Sequence, residues 1–163
     1  MRVERLLLLL LAGAATLLPV ASLAQEAPAS ESPTPPPPVL DEVKLIAQRA
    51  ALAHLGGEKP FILRESSWSG EIEPGQAKLV QVQLFKRNDY HFWIAVPDRR
   101  AAIHLNLYDS KGELVEATAH RYESPNVASL VASPAETGVY YLRIAVEATA
   151  KEPQRWVVVY AYR

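Results

Sequence analysis

The sequence predicts an all-β fold, an antiparallel two-sheet β-sandwich that is jelly-roll-like, with about eight strands behind one helix. After Gly57 apolar and polar residues alternate, which is the period of strands with one buried face. Prolines, glycines and polar pairs cut this part into strand-length segments, and no helix between them could make a parallel crossover. The predicted strands are residues 68–72, 78–85, 90–96, 102–108, 114–120, 127–132, 139–146 and 155–162.

One helix is predicted over residues 40–56, ahead of the β-sandwich domain at 57–163. Its residues are nearly all helix formers, Asp41 suits the positive end of the helix dipole, and Gly56 can end the helix. The apolar side chains lie on two sides of this helix, so we expect it to pack on two sides. We expect a lid over the sandwich, with a docking element for a partner as the alternative.

The first 39 residues predict export. Residues 1–24 have the form of a secretory signal peptide, because the apolar run ending at Leu18 is shorter than the roughly 20 residues that cross a bilayer and Ala24 suits the cleavage position. Residues 25–39 form a proline-rich, disordered linker, either an extended spacer or a ligand for a proline-recognising groove. The expected location is therefore periplasmic or extracellular, with no membrane span.

The amino-acid composition limits the classes of partner that the chain is expected to bind. The chain has no cysteine, so an ordinary apolar core must supply its stability without disulfides. Its formal net charge is -1, and Lys and Arg are scattered along the sequence, which is not the pattern of a nucleic-acid or membrane-surface binder. We expect an exported protein or a cell-wall polymer as partner.

Three motifs in order carry a family resemblance. They are Tyr90–Ile94, then the Leu-Tyr-Asp segment that ends at Gly112, then the Thr-Gly-x-Tyr segment that contains Gly138. Over about residues 70–163 the chain resembles the bacterial pre-peptidase C-terminal domain. The resemblance implies a jelly-roll-like sandwich that accompanies exported peptidases, assists secretion, solubility or substrate binding, and performs no chemistry.

The motif residues also have local roles. Asp109 can accept bonds from the backbone ahead of it in a turn where Gly112 takes a positive φ, and we expect Gly138 to act similarly before the next strand. In the family that this chain resembles, acidic residues often stand just before the Leu-Tyr-Asp strand, and some collagen-binding members bind calcium. The matching positions in this chain are Ala102 and His104. Calcium is therefore not expected here, because it requires several oxygen ligands.

A second resemblance implies a more specific function. The segments Ser69–Ile72 and Tyr141–Ile144 are similar to those of periplasmic inhibitors of g-type lysozyme, which are sandwiches of comparable size. This resemblance implies an inhibitor of a wall-degrading hydrolase, acting through loops that enter the enzyme's cleft.

The sequence predicts no catalytic residue, metal site or cofactor. The histidines are His54, His91, His104 and His120, and no two of them have a His-x-His or His-x-x-x-His spacing. Solvent-facing histidines are the expectation, and a transition-metal site assembled across strands is the alternative. No serine stands in a Gly-x-Ser-x-Gly turn, and no pair of carboxylates is set apart as acid and base.

Trp93 and His91 are the candidate binding residues. Alternation places both on the face of their strand opposite Phe92 and Ile94, so Trp93 should point toward solvent, the helix or a ligand. Cover by the helix is the expectation, and a flat binding face is the alternative. The predicted function is a non-catalytic exported module that binds a protein or polymer; an inhibitor and, third, an enzyme are the alternatives.

Overall fold

The computed structural model describes residues 41–148 and 151–163. These residues form eight strands and one helix, and the prediction of a two-sheet antiparallel sandwich with one preceding helix is confirmed. The elements are α1 (Glu42–Leu52), β1 (Ile62–Ile72), β2 (Ala77–Leu84), β3 (Tyr90–Ala95), β4 (Ala102–Tyr108), β5 (Ala117–Arg121), β6 (Val127–Ala132), β7 (Gly138–Glu147) and β8 (Gln154–Tyr162).

Strands near the two ends of the domain pair with each other, and strands nearer its middle pair inside them. One sheet has the order β1-β8-β3-β6-β5 and the other the order β2-β7-β4. The first strand therefore pairs with the last, β2 with β7 and β3 with β6, each antiparallel. This wrapping of outer strands around inner ones gives the sandwich its jelly-roll character.

The main core lies between the two sheets. Alternate side chains of every long strand point inward, as the two-residue period requires. Fully buried members include Phe92, Ile94, Leu84, Leu107, Leu142, Ile144 and Val158. At one edge the indole of Trp156 lies against the backbone of Gly70, whose ideal Cβ would be 3.0 Å from Trp156 Cζ2.

Helix α1 covers the outer face of the five-stranded sheet and is shorter than predicted. Asp41 is its N-cap, where the side chain accepts a hydrogen bond from the backbone N–H of Lys44 at 3.2 Å. Val43, Ala47 and Ala51 are buried against the sheet. Leu55 packs at the border of the same cluster, whereas Leu52 is exposed, so packing of α1 on a second side stays a prediction.

Two strands differ from the prediction. β1 begins at Ile62 instead of Trp68, because it continues through an irregularity between Leu63 and Ser67 that alternation does not reveal. β5 begins at Ala117 because Leu114 instead forms an isolated bridge with Tyr108 in the preceding turn.

The predicted signal peptide (1–24) and linker (25–39) lie outside the described residues, as does the first residue of the predicted helix. Within residues 41–148 and 151–163, no helix has the length and apolar character needed to cross a membrane.

Candidate binding face

The two outer faces of the sandwich differ in cover. On the five-stranded sheet, the buried residues of α1 pack against a cluster from the sheet: Trp93, Ala95, Val127, Val157, Val159 and Ala161. On the three-stranded sheet no described helix packs, because the contacts of α1 are with β3, β6 and β8. The uncovered face is therefore the one available to a large ligand.

Trp93 and His91 lie beneath the cover. Trp93 is 0% exposed and His91 is 2% exposed, so the expectation that His91 faces solvent is wrong. The physical reason is that His54 and Phe61, in the segment after α1, pack over the His91 ring at centroid distances of 4.8 and 5.5 Å. Trp93 has the expected helix cover, and the alternative of a flat face carrying it is not present.

The hydroxyl of Tyr122 joins this buried site into one network. It accepts a hydrogen bond from Trp93 Nε1 at 3.0 Å and donates to Ser129 Oγ at 3.2 Å. Ser129 Oγ in turn forms a hydrogen bond of 2.9 Å with Nε2 of His91. The network supplies partners for Trp93 Nε1, Ser129 Oγ and His91 Nε2, which the apolar helix face would otherwise leave buried without any.

Burial keeps His91 neutral. Desolvation, the largest cause, and the neighbouring His54 and His120 lower the pKa of His91 to about 3. Its Nδ1 has no hydrogen-bond partner among the described residues. Although His54 and His120 lie 4.8 and 6.1 Å from it, ring centre to ring centre, the described residues contain no group of three or more side chains that could hold a metal ion.

The uncovered face carries two rows of side chains, here called the tyrosine face. In one row Tyr108 of β4 is paired with Tyr141 of β7, which is paired with Gln81 of β2. In the next row the members are Asn106, Arg143 and Leu79. Neighbouring strands lie about 4.8 Å apart, so each row is a nearly flat set of adjacent groups.

This face is open and carries a shallow depression with apolar and polar lining residues. Leu79 is 64% exposed, and the two tyrosines are half-buried. They border a depression of about 430 Å³ that Ala77, Gly112 and Arg143 also line. Exposed tyrosines supply large, rigid contact area with a polar tip, the usual material of a recognition surface.

The turn beside the tyrosine face is built on Asp109. Its Oδ1 accepts hydrogen bonds from the backbone N–H groups of Lys111 at 2.9 Å and Glu113 at 2.8 Å, and Gly112 has φ of 81°. Gly138, expected to act similarly, is instead the first residue of β7 and has no positive φ. It pairs with Leu84, so its place is in the ladder and the turn role is wrong for it.

A second opening lies at the other edge of the sandwich. It has a volume of about 270 Å³ and is lined partly by Arg64, Phe85, Tyr160 and Tyr162. The guanidinium of Arg64 lies 5.8 Å from the centre of the Tyr162 ring, and Trp68 adjoins Tyr160 at 4.8 Å. This opening is one competing location for a ligand, and Phe85, at 53% exposed, is its most accessible aromatic group.

Sequence reasoning missed the tyrosine face, although a signal for it exists. Tyr108 and Tyr141 are out of phase with the core residues of their strands, Leu107 and Leu142, so alternation points both outward. What the sequence does not give is their adjacency, because β4 and β7 are separated by two other strands along the chain.

Comparison of the chain with protein-family models gives no match, and comparison with curated protein sequences gives no significant one. The resemblances to the pre-peptidase C-terminal domain and to the lysozyme inhibitors therefore stay predictions from the motifs.

Proposed function

We propose that the protein is a non-catalytic, exported module whose sandwich binds an extended polysaccharide on the tyrosine face. One observation carries the proposal: Tyr108 and Tyr141 stand side by side on a face that no described helix covers. Sugar rings present flat C–H surfaces that stack on aromatic rings, while their hydroxyls bond amide and phenol groups such as those of Asn106 and Gln81.

The arrangement suits a chain better than a small molecule. Outward positions along a strand repeat about every 7 Å, so the tyrosine face extends beyond the tyrosines along β7. The depression is open and shallow, whereas small-molecule sites enclose most of their ligand. A polymer can lie across such a face with several of its units in contact.

No chemistry is part of the proposal. The polar groups of the tyrosine face are phenols, amides and a guanidinium, which do not form an acid and base pair. Among the strand connections that are described in full, 109–116 is the longest, and its Asp109 turn closes back on β4, with Leu114 bridged to Tyr108. That compact turn favours a binding face over the protruding loop that an enzyme inhibitor would use.

Affinity electrophoresis through gels that contain neutral or acidic polysaccharides tests the proposal. Retardation of the wild-type protein in at least one gel, lost in the Tyr108→Ala/Tyr141→Ala variant, is the expected result. Phe85→Ala is the matched control, because it removes an exposed aromatic ring from the second opening.

Two outcomes contradict the proposal. If no polysaccharide retards the wild-type protein, polysaccharide binding is wrong. If Phe85→Ala abolishes retardation and the double variant keeps it, the second opening is the site. Thermal unfolding of each variant shows that loss of binding is not loss of fold.

A further inference from the structure

Arg143 is the cation at the centre of the tyrosine face. It lies on the middle strand, between Asn106 of β4 and Leu79 of β2, and one row away from Tyr141. The side chain is half-buried among these neighbours. A guanidinium held in this way is partly shielded from water, so an anion that reached it would be bound more strongly than at a free surface.

The described residues supply no counter-ion to this group. Within 41–148 and 151–163 no carboxylate forms an ion pair with Arg143, and the ion pairs present are those of His104, Arg155 and Arg163. Glu147 stands on the same face of β7 but four residues further along, about 13 Å away, where it contacts His104 at 3.4 Å. As far as the described residues go, the positive charge at the centre of the tyrosine face is therefore not neutralised.

We propose that the ligand of the tyrosine face is an acidic polysaccharide and that Arg143 binds its carboxylate. This inference rests on the proposed function and adds the class of polymer. The planar fork of a guanidinium donates two parallel hydrogen bonds to a carboxylate, which sets the position of one sugar unit. Tyr108 and Tyr141 then stack on adjacent units.

The geometry assigns separate work to the two kinds of side chain. The tyrosines provide contact area that neutral and acidic polymers share, and Arg143 provides the preference for the acidic one. Loss of the guanidinium should therefore abolish discrimination while leaving the weaker, neutral binding in place. A charge-assisted hydrogen bond contributes enough that the preference should be about tenfold in affinity.

The test compares alginate, a uronate polymer, with carboxyl-reduced alginate, which keeps the chain and loses the charge. The wild-type protein is expected to bind alginate about tenfold more tightly, and Arg143→Gln is expected to bind both polymers equally. Arg143→Lys should retain part of the preference, because it keeps the charge without the fork. Arg121→Gln, which removes an exposed cation from β5 in the other sheet, is the matched control.

The outcomes separate this inference from the proposed function. Equal binding of both polymers by the wild-type protein, lost in Tyr108→Ala/Tyr141→Ala, overturns the role of Arg143 and leaves polysaccharide binding standing. Failure of every polysaccharide to bind overturns both. An equal loss of alginate binding in Arg143→Gln and Arg121→Gln shows general charge attraction and also overturns the specific role. Thermal unfolding confirms that each variant is folded.

Discussion

The imidazole of His91 stacks on the indole of Trp93 with ring centres 3.8 Å apart, and α1 with its following segment closes both rings off from water. The Ser129 hydroxyl engages Nε2 of His91 and leaves Nδ1 without a partner among the described residues. A proton added to this ring would therefore place a positive charge in a dry site near His54, His120 and Arg163, the groups whose charges act against it.

Acid should destabilise the fold through His91. Its pKa is about 3 in the folded protein against an ordinary 6.5, so the unfolded chain binds a proton that the folded one refuses between these values. The free energy of unfolding should be unaffected by this group above pH 6.5 and fall by at most about 1.4 kcal/mol per pH unit below it. Urea unfolding at pH 7.5, 6.0 and 5.0 measures this slope.

His91→Gln is the control for the pH dependence. Its lower stability at pH 7.5 is expected, but its slope between pH 6.0 and 5.0 should be smaller than that of the wild type. Asp41 and Asp89 also have lowered pKa values, yet these carboxyls take up protons only below their ordinary value of 3.8. An unchanged slope in His91→Gln would assign the acid sensitivity to other groups.

Tyr122→Phe should destabilise the site under the helix. The change removes the acceptor of Trp93 Nε1, whose hydrogen bond has a length of 3.0 Å. A buried donor without a partner costs about 1–3 kcal/mol, and denaturant unfolding measures the loss. Tyr141→Phe is the matched control, because its hydroxyl forms no hydrogen bond to another described residue, and its effect should stay within about 0.5 kcal/mol. Equal effects of the two changes would contradict the network.

Gly70→Ala should destabilise the sandwich because of its neighbour. The new methyl group would lie 3.0 Å from Trp156 Cζ2, and the buried indole would have to shift, at a cost of about 1–3 kcal/mol. Gly138→Ala has no atom within 4 Å of its Cβ and no positive φ, so it should be neutral or slightly stabilising. Both glycines lie in strands, so the two variants differ mainly in whether the new methyl group meets a neighbour. A lower thermal unfolding midpoint for Gly70→Ala than for Gly138→Ala would therefore report the contact with Trp156.

Asp41 joins the start of α1 to β8. It caps the helix through Lys44 N–H, and its Oδ2 accepts a hydrogen bond from Arg155 Nη2 at 2.6 Å. Asp41→Ala removes both contacts and should cost about 1–2 kcal/mol, whereas Asp41→Asn keeps a cap and should lose less than about 1 kcal/mol. Urea unfolding of both variants separates the two contributions to the free energy of unfolding. The difference between the variants reports the helix cap, and the loss in Asp41→Asn reports the partly exposed ion pair. Equal losses would show that the cap contributes nothing.

The strands were predictable because burial leaves a local mark. For β2, β4 and β7 the strand ends predicted from alternation agree with the observed ends to within about one residue. The agreement is close because each of these strands has one face in the main core. β3 misled the prediction for His91, because both faces of this strand are buried and His91 shares the second face with the apolar Trp93 and Ala95. A histidine on the side of a strand opposite the core is predicted to face solvent. Only the tertiary structure shows that α1 and the segment after it cover that side.

The candidate site was less predictable than the fold. Alternation placed Tyr108, Tyr141 and Arg143 outward, but pairing across 33 or more positions decides that they share one face. Helix α1, which with its following segment hides one outer surface, contacts its sheet through small side chains such as Ala47 and Ala51, which carry a weak apolar signal. Which surface stays open is thus a property of tertiary packing.

The nested pairing also fixes when the protein can fold. β8 follows the other seven described strands, yet it lies between β1 and β3 and pairs with both. Until residues 154–162 have been synthesised, β1 has no partner strand and β3 has an unpaired edge, and no local tendency to form strands can replace the missing one. A chain that stops before β8 therefore carries the unpaired edges of β1 and β3, and the five-stranded sheet can close only when β8 is present.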